Sequence, residues 1–268
     1  ADVRPKAIAP ASQSVSRYCR VIDLKLGPEL IFRDVITDPT FPPLLSGEKV
    51  SRDVDPFIKA VGASMMGCEP GTVFYAEDTN TLCAAITLAP EVPLKESVSV
   101  IHAVMLSLAD SLGALGPPEL AVHFVWPSQL KINAARCGEL QFKASTTQPD
   151  EIPEWLVIGL RVPFVRPESL EAGSDPSQTW LYEEGCIELT VPQIIESWSR
   201  HTLVWLNTFE DAGYQAIQDH WRAKCDSIGS DITYPAEGTF VGTDGQGSLL
   251  LKRDGLTSIH HLIDEMTP

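Results

Sequence analysis

Residues 125–138 read VWPSQLKINAARCG and residues 155–162 read WLVIGLRV, and these two stretches decide the fold prediction. In the first, Trp126-Pro127 interrupts two apolar stretches, which predicts strands at 119–126 and 129–133 separated by a turn. The second stretch is an apolar run of strand length and predicts a further strand. We therefore predict a mixed β-sheet built around these segments.

Helical patterns lie on both sides of these strands along the chain. Asp55 followed by Pro56 predicts the start of a helix, because Asp is a good N-cap and proline fits the first helical position. Apolar residues three and four positions apart over 94–115 predict a helix with one buried face. Residues 192–210 and 214–225 predict two more helices, so the chain is expected to be α+β with helices packed on one face of the sheet.

The two ends of the chain differ from its middle. Residues 1–40 begin with a stretch rich in Ala, Pro and Ser, which predicts a partly flexible N-terminal extension. Residues 233–268 contain short β patterns separated by Asp244-Gly245 and Asp254-Gly255, which favour tight hairpins and predict a small β-barrel. The predicted domains are therefore 1–40, 41–232 and 233–268.

Charge and cysteine content exclude several classes of protein. The 268 residues carry 20 Lys and Arg against 36 Asp and Glu, a formal net charge of −16. So acidic a chain is expected to repel phosphate backbones and anionic lipids, which predicts neither a nucleic-acid nor a membrane partner. No unbroken apolar run approaches the roughly 20 residues of a membrane span, and we expect no secretory signal. Six widely spaced cysteines without a C-x-x-C pair predict reduced thiols, a cytoplasmic location and no metal site.

The order of these motifs resembles the biotin/lipoate protein ligase family. That family has a strand ending in K-W-P-N-D, a glycine and a lysine a few residues later, a strand reading G-I-G-I-N-V and a small SH3-like domain at the end. The counterparts here are 125–129, Arg136 and 157–162, and the resemblance covers about 41–268. It implies an SH3-like C-terminal barrel, ATP and Mg²⁺ as cofactors with biotin or lipoate if the family activity is retained, and an acceptor protein as partner.

One family element is missing from this chain. The family's loop G-R-G-R-x-G wraps the acyl-adenylate, and its position corresponds here to 78–81, between predicted strands at 72–76 and 82–88. No arginine occurs from Asp53 to Leu130. Adenylation needs cations already in place around the reacting phosphate. We therefore predict that standard ATP-dependent adenylation is lost or very weak.

The remaining family positions define a candidate cleft that we expect to bind a small carboxylate or acyl ligand. Its predicted lining is Trp126, Gln129, Arg136, Gly138, Gly159 and Arg161. Arg136 replaces the family's second lysine and is the candidate catalytic residue, and Arg161 replaces the strand asparagine. Gln129 replaces an aspartate and offers a metal no charge. Plainer roles stay open: both arginines pairing with surface acids, Trp126 in the core, and Gly138 allowing two strands to approach closely.

Three other functions also stay open. The protein can be an active ligase of the biotin/lipoate type. Related acyltransferases use a cysteine nucleophile without ATP, and Cys186 lies roughly where such a nucleophile falls; Cys137, beside Arg136, is a second thiol whose pKa that arginine would lower. The third alternative is a non-enzymatic protein-interaction module.

Overall fold

The computed structural model describes residues 38–78, 80–171 and 173–268. The predicted N-terminal extension lies outside the described residues, apart from 38–40. The predicted domain boundaries stay predictions.

Seven strands form the main sheet. They are β1 Ser46–Val50, β2 Thr72–Ala76, β3 Thr81–Leu88, β4 Val122–Val125, β5 Gln129–Ile132, β6 Ala135–Ala144 and β7 Leu156–Pro163. Their spatial order is β1-β2-β3-β7-β6-β5-β4. β1 is parallel to β2 and the other neighbours are antiparallel, so the predicted mixed sheet is confirmed. β1 was not predicted, because four of its five residues are exposed and show no apolar alternation.

Helices cover the two faces of this sheet unequally. They are α1 Pro56–Met65, α2 Leu94–Ser97, α3 Val100–Leu115, α4 Val191–Ala212 and α5 Gln215–Lys224. α3, α4 and α5 contribute to the main core on one face. α1 lies on the other face and packs over β2, β3 and β7. Successive side chains of β2 alternate between the two faces. Val73 and Tyr75 belong to the main core, whereas Phe74 and Ala76 pack with α1.

α2 and α3 together span 94–115, where one helix with a single buried face was predicted. Most of its circumference is buried instead, because α4 and α5 pack against α3 on the sides that the sheet leaves free. Leu94–Leu115 is long and apolar enough to cross a membrane by length and composition alone. Most of it is buried inside the protein, as expected for a core helix of a globular fold.

A small antiparallel sheet closes the chain. Its strands are β8 Asp231–Ile232, β9 Gly238–Thr243, β10 Leu249–Arg253 and β11 Leu256–His260, in the order β11-β10-β9-β8. Asp254 and Gly255 have φ values of 51° and 81°, the left-handed values that a tight two-residue hairpin needs. The fully buried Phe240 joins this sheet to the main core. The predicted α+β fold with an SH3-like C-terminal module is confirmed.

Candidate functional site

A row of polar side chains crosses the sheet from β3 to β5. The residues directly opposite one another in β3, β7, β6 and β5 are Cys83, Arg161, Glu139 and Gln129. Their neighbours along the strands are buried in the main core: Leu82, Val162, Leu140 and Leu130. Since side chains alternate between the faces of a strand, the row lies on the face opposite α3, α4 and α5. We call these four residues the polar row.

The N-terminus of α1 lies beside the polar row. Asp55 caps the helix, and its Oδ1 accepts hydrogen bonds from the backbone N–H groups of Phe57 at 2.7 Å and Ile58 at 3.3 Å. Its other oxygen, Oδ2, lies 3.9 Å from Nη1 of Arg161. This ion pair is long, and the Arg161 side chain remains 60% exposed. The guanidinium therefore keeps hydrogen-bond donors that a ligand can reach.

The connection between β2 and β3 is short and acidic. It consists of residues 77–80, at the position where the family's arginine-rich loop was expected. The Glu77 carboxylate lies 3.1 Å from Nζ of Lys49, and the Asp78 carboxylate lies 3.6 Å from Nη2 of Arg52. Each carboxylate of the connection thus has one cationic partner.

Cys83 of the polar row is a poor nucleophile. Burial raises the pKa of its thiol to about 11, and the nearby Arg161 charge offsets only part of that effect. The thiol is therefore protonated at neutral pH, and the thiolate is the reactive form.

Two of the predicted cleft residues are packing positions. A Cβ at Gly159 would lie 2.8 Å from Cδ2 of Phe57, so this part of β7 is covered by α1 and is closed to a ligand. A Cβ at Gly138 would lie 2.7 Å from the backbone oxygen of Arg161, so glycine is needed for β6 and β7 to approach. The close-approach interpretation of Gly138 is the one that the structure favours.

Trp126 lies in the core, whereas the sequence analysis predicted that it lines the cleft. Only 3% of the residue is exposed, and its Nε1 donates a hydrogen bond to the backbone oxygen of Gly247 at 3.0 Å. This bond connects the main sheet to the C-terminal module. The indole faces the core because it is large and apolar and its N–H finds an acceptor there.

Arg136 and Arg161 do not lie in the same row. Arg136 is opposite Lys131, one position beyond a bulge that separates it from the polar row. Its backbone N–H donates to Ser177 at 2.8 Å, and its backbone oxygen accepts from Thr179 at 2.9 Å. Arg136 therefore borders the segment before α4, and no described contact brings its guanidinium to that of Arg161.

The candidate cysteine nucleophiles are both buried. Cys186 is 1% exposed, and burial together with the charge of Glu184 raises the pKa of its thiol. Burial raises the pKa of Cys137 to about 12, which contradicts the expectation that Arg136 would lower it. Neither thiol is suited to nucleophilic attack from solvent at neutral pH.

The structure adds Asp55, Cys83 and Glu139 to the residues around Arg161. The sequence contained one usable signal for Cys83 and Glu139, since strand alternation places both on the same face as Arg161 once the strand register is known. Asp55 is the N-cap of α1, and its place beside Arg161 depends on the position of that helix. Among the residues that the structure describes, no group of three or more His, Cys, Asp or Glu side chains is placed to hold a metal ion.

Comparison with known proteins identifies the family. Residues 41–223 match the model of the Biotin/lipoate A/B protein ligase family. The chain belongs to this family. A biotin protein ligase-like protein of unknown function from Silicibacter sp. TM1040 is 38% identical, with a TM-score of 0.81, and the match covers 86% of this chain and 100% of that one. The predicted resemblance is thereby confirmed.

Solved structures of lower sequence identity share the fold. Biotin protein ligase from Aquifex aeolicus is 13% identical, with a TM-score of 0.65, and the match covers 81% of this chain and 96% of that one. The same enzyme in complex with biotin and ATP gives a TM-score of 0.63 at 13% identity, over 81% and 95% of the two chains. A search of curated proteins found no match.

Proposed function

We propose that this member of the biotin/lipoate ligase family binds a small carboxylate at Arg161 and does not carry out ATP-dependent adenylation. The observation that carries the proposal is the four-residue connection 77–80, which presents Glu77 and Asp78. An adenylation transition state spreads negative charge over phosphate oxygens and needs cations already aimed at them. Carboxylates at this position repel that charge.

The residues present do not fit ATP and Mg²⁺. Lys49 and Arg52 lie near the connection, but each is paired with one of its carboxylates. Gln129 offers a neutral amide where a carboxylate would hold a hard cation.

Binding of a carboxylate alone requires fewer cationic groups than adenylation does. The planar guanidinium of Arg161 can hold both oxygens of one carboxylate through parallel hydrogen bonds. Two carboxylates compete with the ligand: Asp55, and Glu139, which lies directly opposite Arg161 in β6. The 3.9 Å separation of Asp55 from Arg161 leaves room for a ligand to displace it. Gln129 lies two strands from Arg161, beyond Glu139, so its amide can reach only a further polar group of a longer ligand.

An ATP–pyrophosphate exchange assay tests the catalytic half of the proposal. Biotin, lipoate and octanoate are supplied separately with ATP and Mg²⁺, and we expect no exchange above the background without enzyme. Robust exchange with any of them would mean an active ligase and would overturn this half. Acyl transfer from a thioester without ATP would favour the cysteine acyltransferase instead.

Calorimetric titration with the same three acids tests the binding half. Arg161→Gln is expected to weaken binding at least tenfold, which is the order of one charge-assisted hydrogen bond. Asp55→Asn keeps a side-chain cap and removes the competing charge, so it should strengthen binding by up to about fivefold. Arg253→Gln, an exposed arginine of the C-terminal module, is the matched control. Equal affinities in all three variants would refute a site at Arg161, and failure of all three acids to bind the wild type would favour the interaction module.

A further inference from the structure

A second concavity lies near the far end of β3 from the polar row. Leu88, at its edge, is five residues beyond Cys83, which corresponds to about 17 Å along an extended strand. The cavity has a volume of about 830 Å³, within the range of small-molecule sites. The C-terminal half of α4 forms one wall, and the loop from β3 into α2 forms the other.

The walls of this cavity are largely apolar. Leu203, Leu206 and Phe209 of α4 face it from one side, and Leu88 and Val92 from the other. Tyr214 also lines it, but its hydroxyl lies 2.8 Å from Nδ1 of His102. The polar end of Tyr214 is thus satisfied within the core, so the tyrosine adds mainly a ring to the apolar wall.

The mouth of the cavity carries charge of one sign. Glu91, Glu96 and Glu210 line it and are exposed, and its described lining contains no Lys, Arg or His. No salt bridge was found between any of the three and another described residue. An anion entering this mouth would be repelled, and a cation would be attracted.

We propose that this cavity binds an amphiphilic amine. The apolar body of the ligand lies between α4 and the β3–α2 loop, and its ammonium group lies among Glu91, Glu96 and Glu210. A neutral apolar molecule fits the walls without using the carboxylates, and a fatty acid places its charge against them. The site is separate from Arg161 and does not depend on the function proposed there.

Leu44 completes the rim. Its side chain is 87% exposed, and its backbone has φ 76°, a left-handed value that is unfavourable for a branched residue and tolerated by Asn. The apolar body of a bound amine would cover this side chain. Leu44→Asn therefore removes apolar contact without a cost to the backbone.

Calorimetry with octylamine, octanol and octanoate at neutral pH and low salt tests the proposal. All proteins in this comparison also carry Arg161→Gln, so that octanoate bound at Arg161 does not enter it. These probes share an eight-carbon chain and differ in the charge of the head group. We expect octylamine to bind between about threefold and about a hundredfold more tightly than octanoate, because three partly solvated carboxylates each contribute a modest interaction. Added salt should reduce this preference. Equal affinities for the three probes, or no binding of octylamine, would overturn the proposal.

A triple variant assigns the preference to the mouth of the cavity. Replacing Glu91, Glu96 and Glu210 with Gln should abolish the preference for octylamine over octanoate. The matched control replaces three exposed carboxylates outside the cavity, at Glu119, Glu168 and Glu188, and should retain the preference. Loss of the preference in both triple variants would show only an effect of net charge and would refute the site.

Substitutions that fill the cavity test whether the alkyl chain of octylamine binds there. Leu206→Trp should reduce octylamine binding at least tenfold, and Val92→Trp, made from the loop wall, gives an independent block if the α4 variant does not fold. Leu44→Asn should weaken binding while thermal unfolding stays unchanged. Arg161→Gln should leave octylamine binding at its wild-type value, which separates this test from the one at Arg161. Unchanged octylamine binding in both tryptophan variants would place the amine elsewhere.

Discussion

Acidification is predicted to destabilise the protein through His102, in the buried helix α3. The ring is fully buried, stacks on Trp221 at a centroid distance of 4.2 Å, and places Nδ1 2.8 Å from the hydroxyl of Tyr214. Burial lowers the pKa of His102 to about 3, and the Pro127 carbonyl offsets only a small part of that shift. The neutral ring is favoured because a charged imidazolium would lose its hydration in the core.

The size of the effect follows from the difference between the two states. The unfolded chain binds a proton at His102 with a pKa near 6.5, whereas the folded chain stays neutral down to about pH 3. The unfolded state therefore binds more protons below pH 6.5, so this contribution to stability is fully present above that pH and is lost as the pH falls. Between pH 7 and pH 5 the loss from this one group is about 2 kcal/mol.

Urea unfolding followed by tryptophan fluorescence at pH 5, 6 and 7 measures this loss. His102→Phe keeps a ring to stack on Trp221 and cannot titrate. The fall in its free energy of unfolding between pH 7 and pH 5 should therefore be smaller than that of the wild type by about 2 kcal/mol. His261→Gln, at an exposed position, should follow the wild type, and His102→Asn provides a second neutral side chain. Equal pH dependence in the wild type and both His102 variants would refute the reasoning.

Substitutions at three further positions test packing and capping through the free energy of unfolding in urea. Trp126→Phe removes the hydrogen bond to Gly247 and should cost about 1–2 kcal/mol, and a cost near zero would contradict the connection to the C-terminal module. Asp55→Ala removes the α1 cap and should cost about 1 kcal/mol, whereas Asp55→Asn should cost much less; equal costs would speak against capping. Gly159→Ala places a Cβ within 3 Å of Phe57 and should cost about 1–3 kcal/mol, so a neutral effect would mean that α1 can shift freely.

Local sequence chemistry predicted most of the secondary structure. The Asp55-Pro56 pair predicted the start of α1, and the helix predicted at 192–210 is observed at Val191–Ala212. The Asp254-Gly255 pair predicted a tight hairpin turn, and both residues have the left-handed φ values of such a turn. Caps, turns and apolar spacing act over a few residues, so the amino-acid sequence contains them directly. β1 escaped prediction because its place in the sheet is fixed mainly by its parallel partner β2.

The candidate site was harder to predict because it depends on contacts between distant residues. Gly159 was expected to face a ligand, but Phe57, about a hundred residues earlier, covers it. Trp126 was expected in a cleft wall, but its indole N–H bonds to Gly247 in the C-terminal module. Arg161 was placed on the correct strand, yet its relation to Asp55 required the position of α1. Spacing along one sequence contains none of these distances.

The alternation of side chains along β3 explains how this fold can persist while its surface chemistry changes. Leu82, Ala84 and Ile86 pack in the main core, whereas Cys83 and Ala85 face the other side of the strand. A substitution at a position that faces away from the main core, such as Cys83, alters the polar row without removing apolar area from that core. The fold is accordingly shared with the Aquifex aeolicus enzyme at 13% identity. Arg161, Glu139 and Gln129 are therefore positions at which chemistry can diverge at little cost to stability, so a ligase fold alone does not imply a ligase reaction.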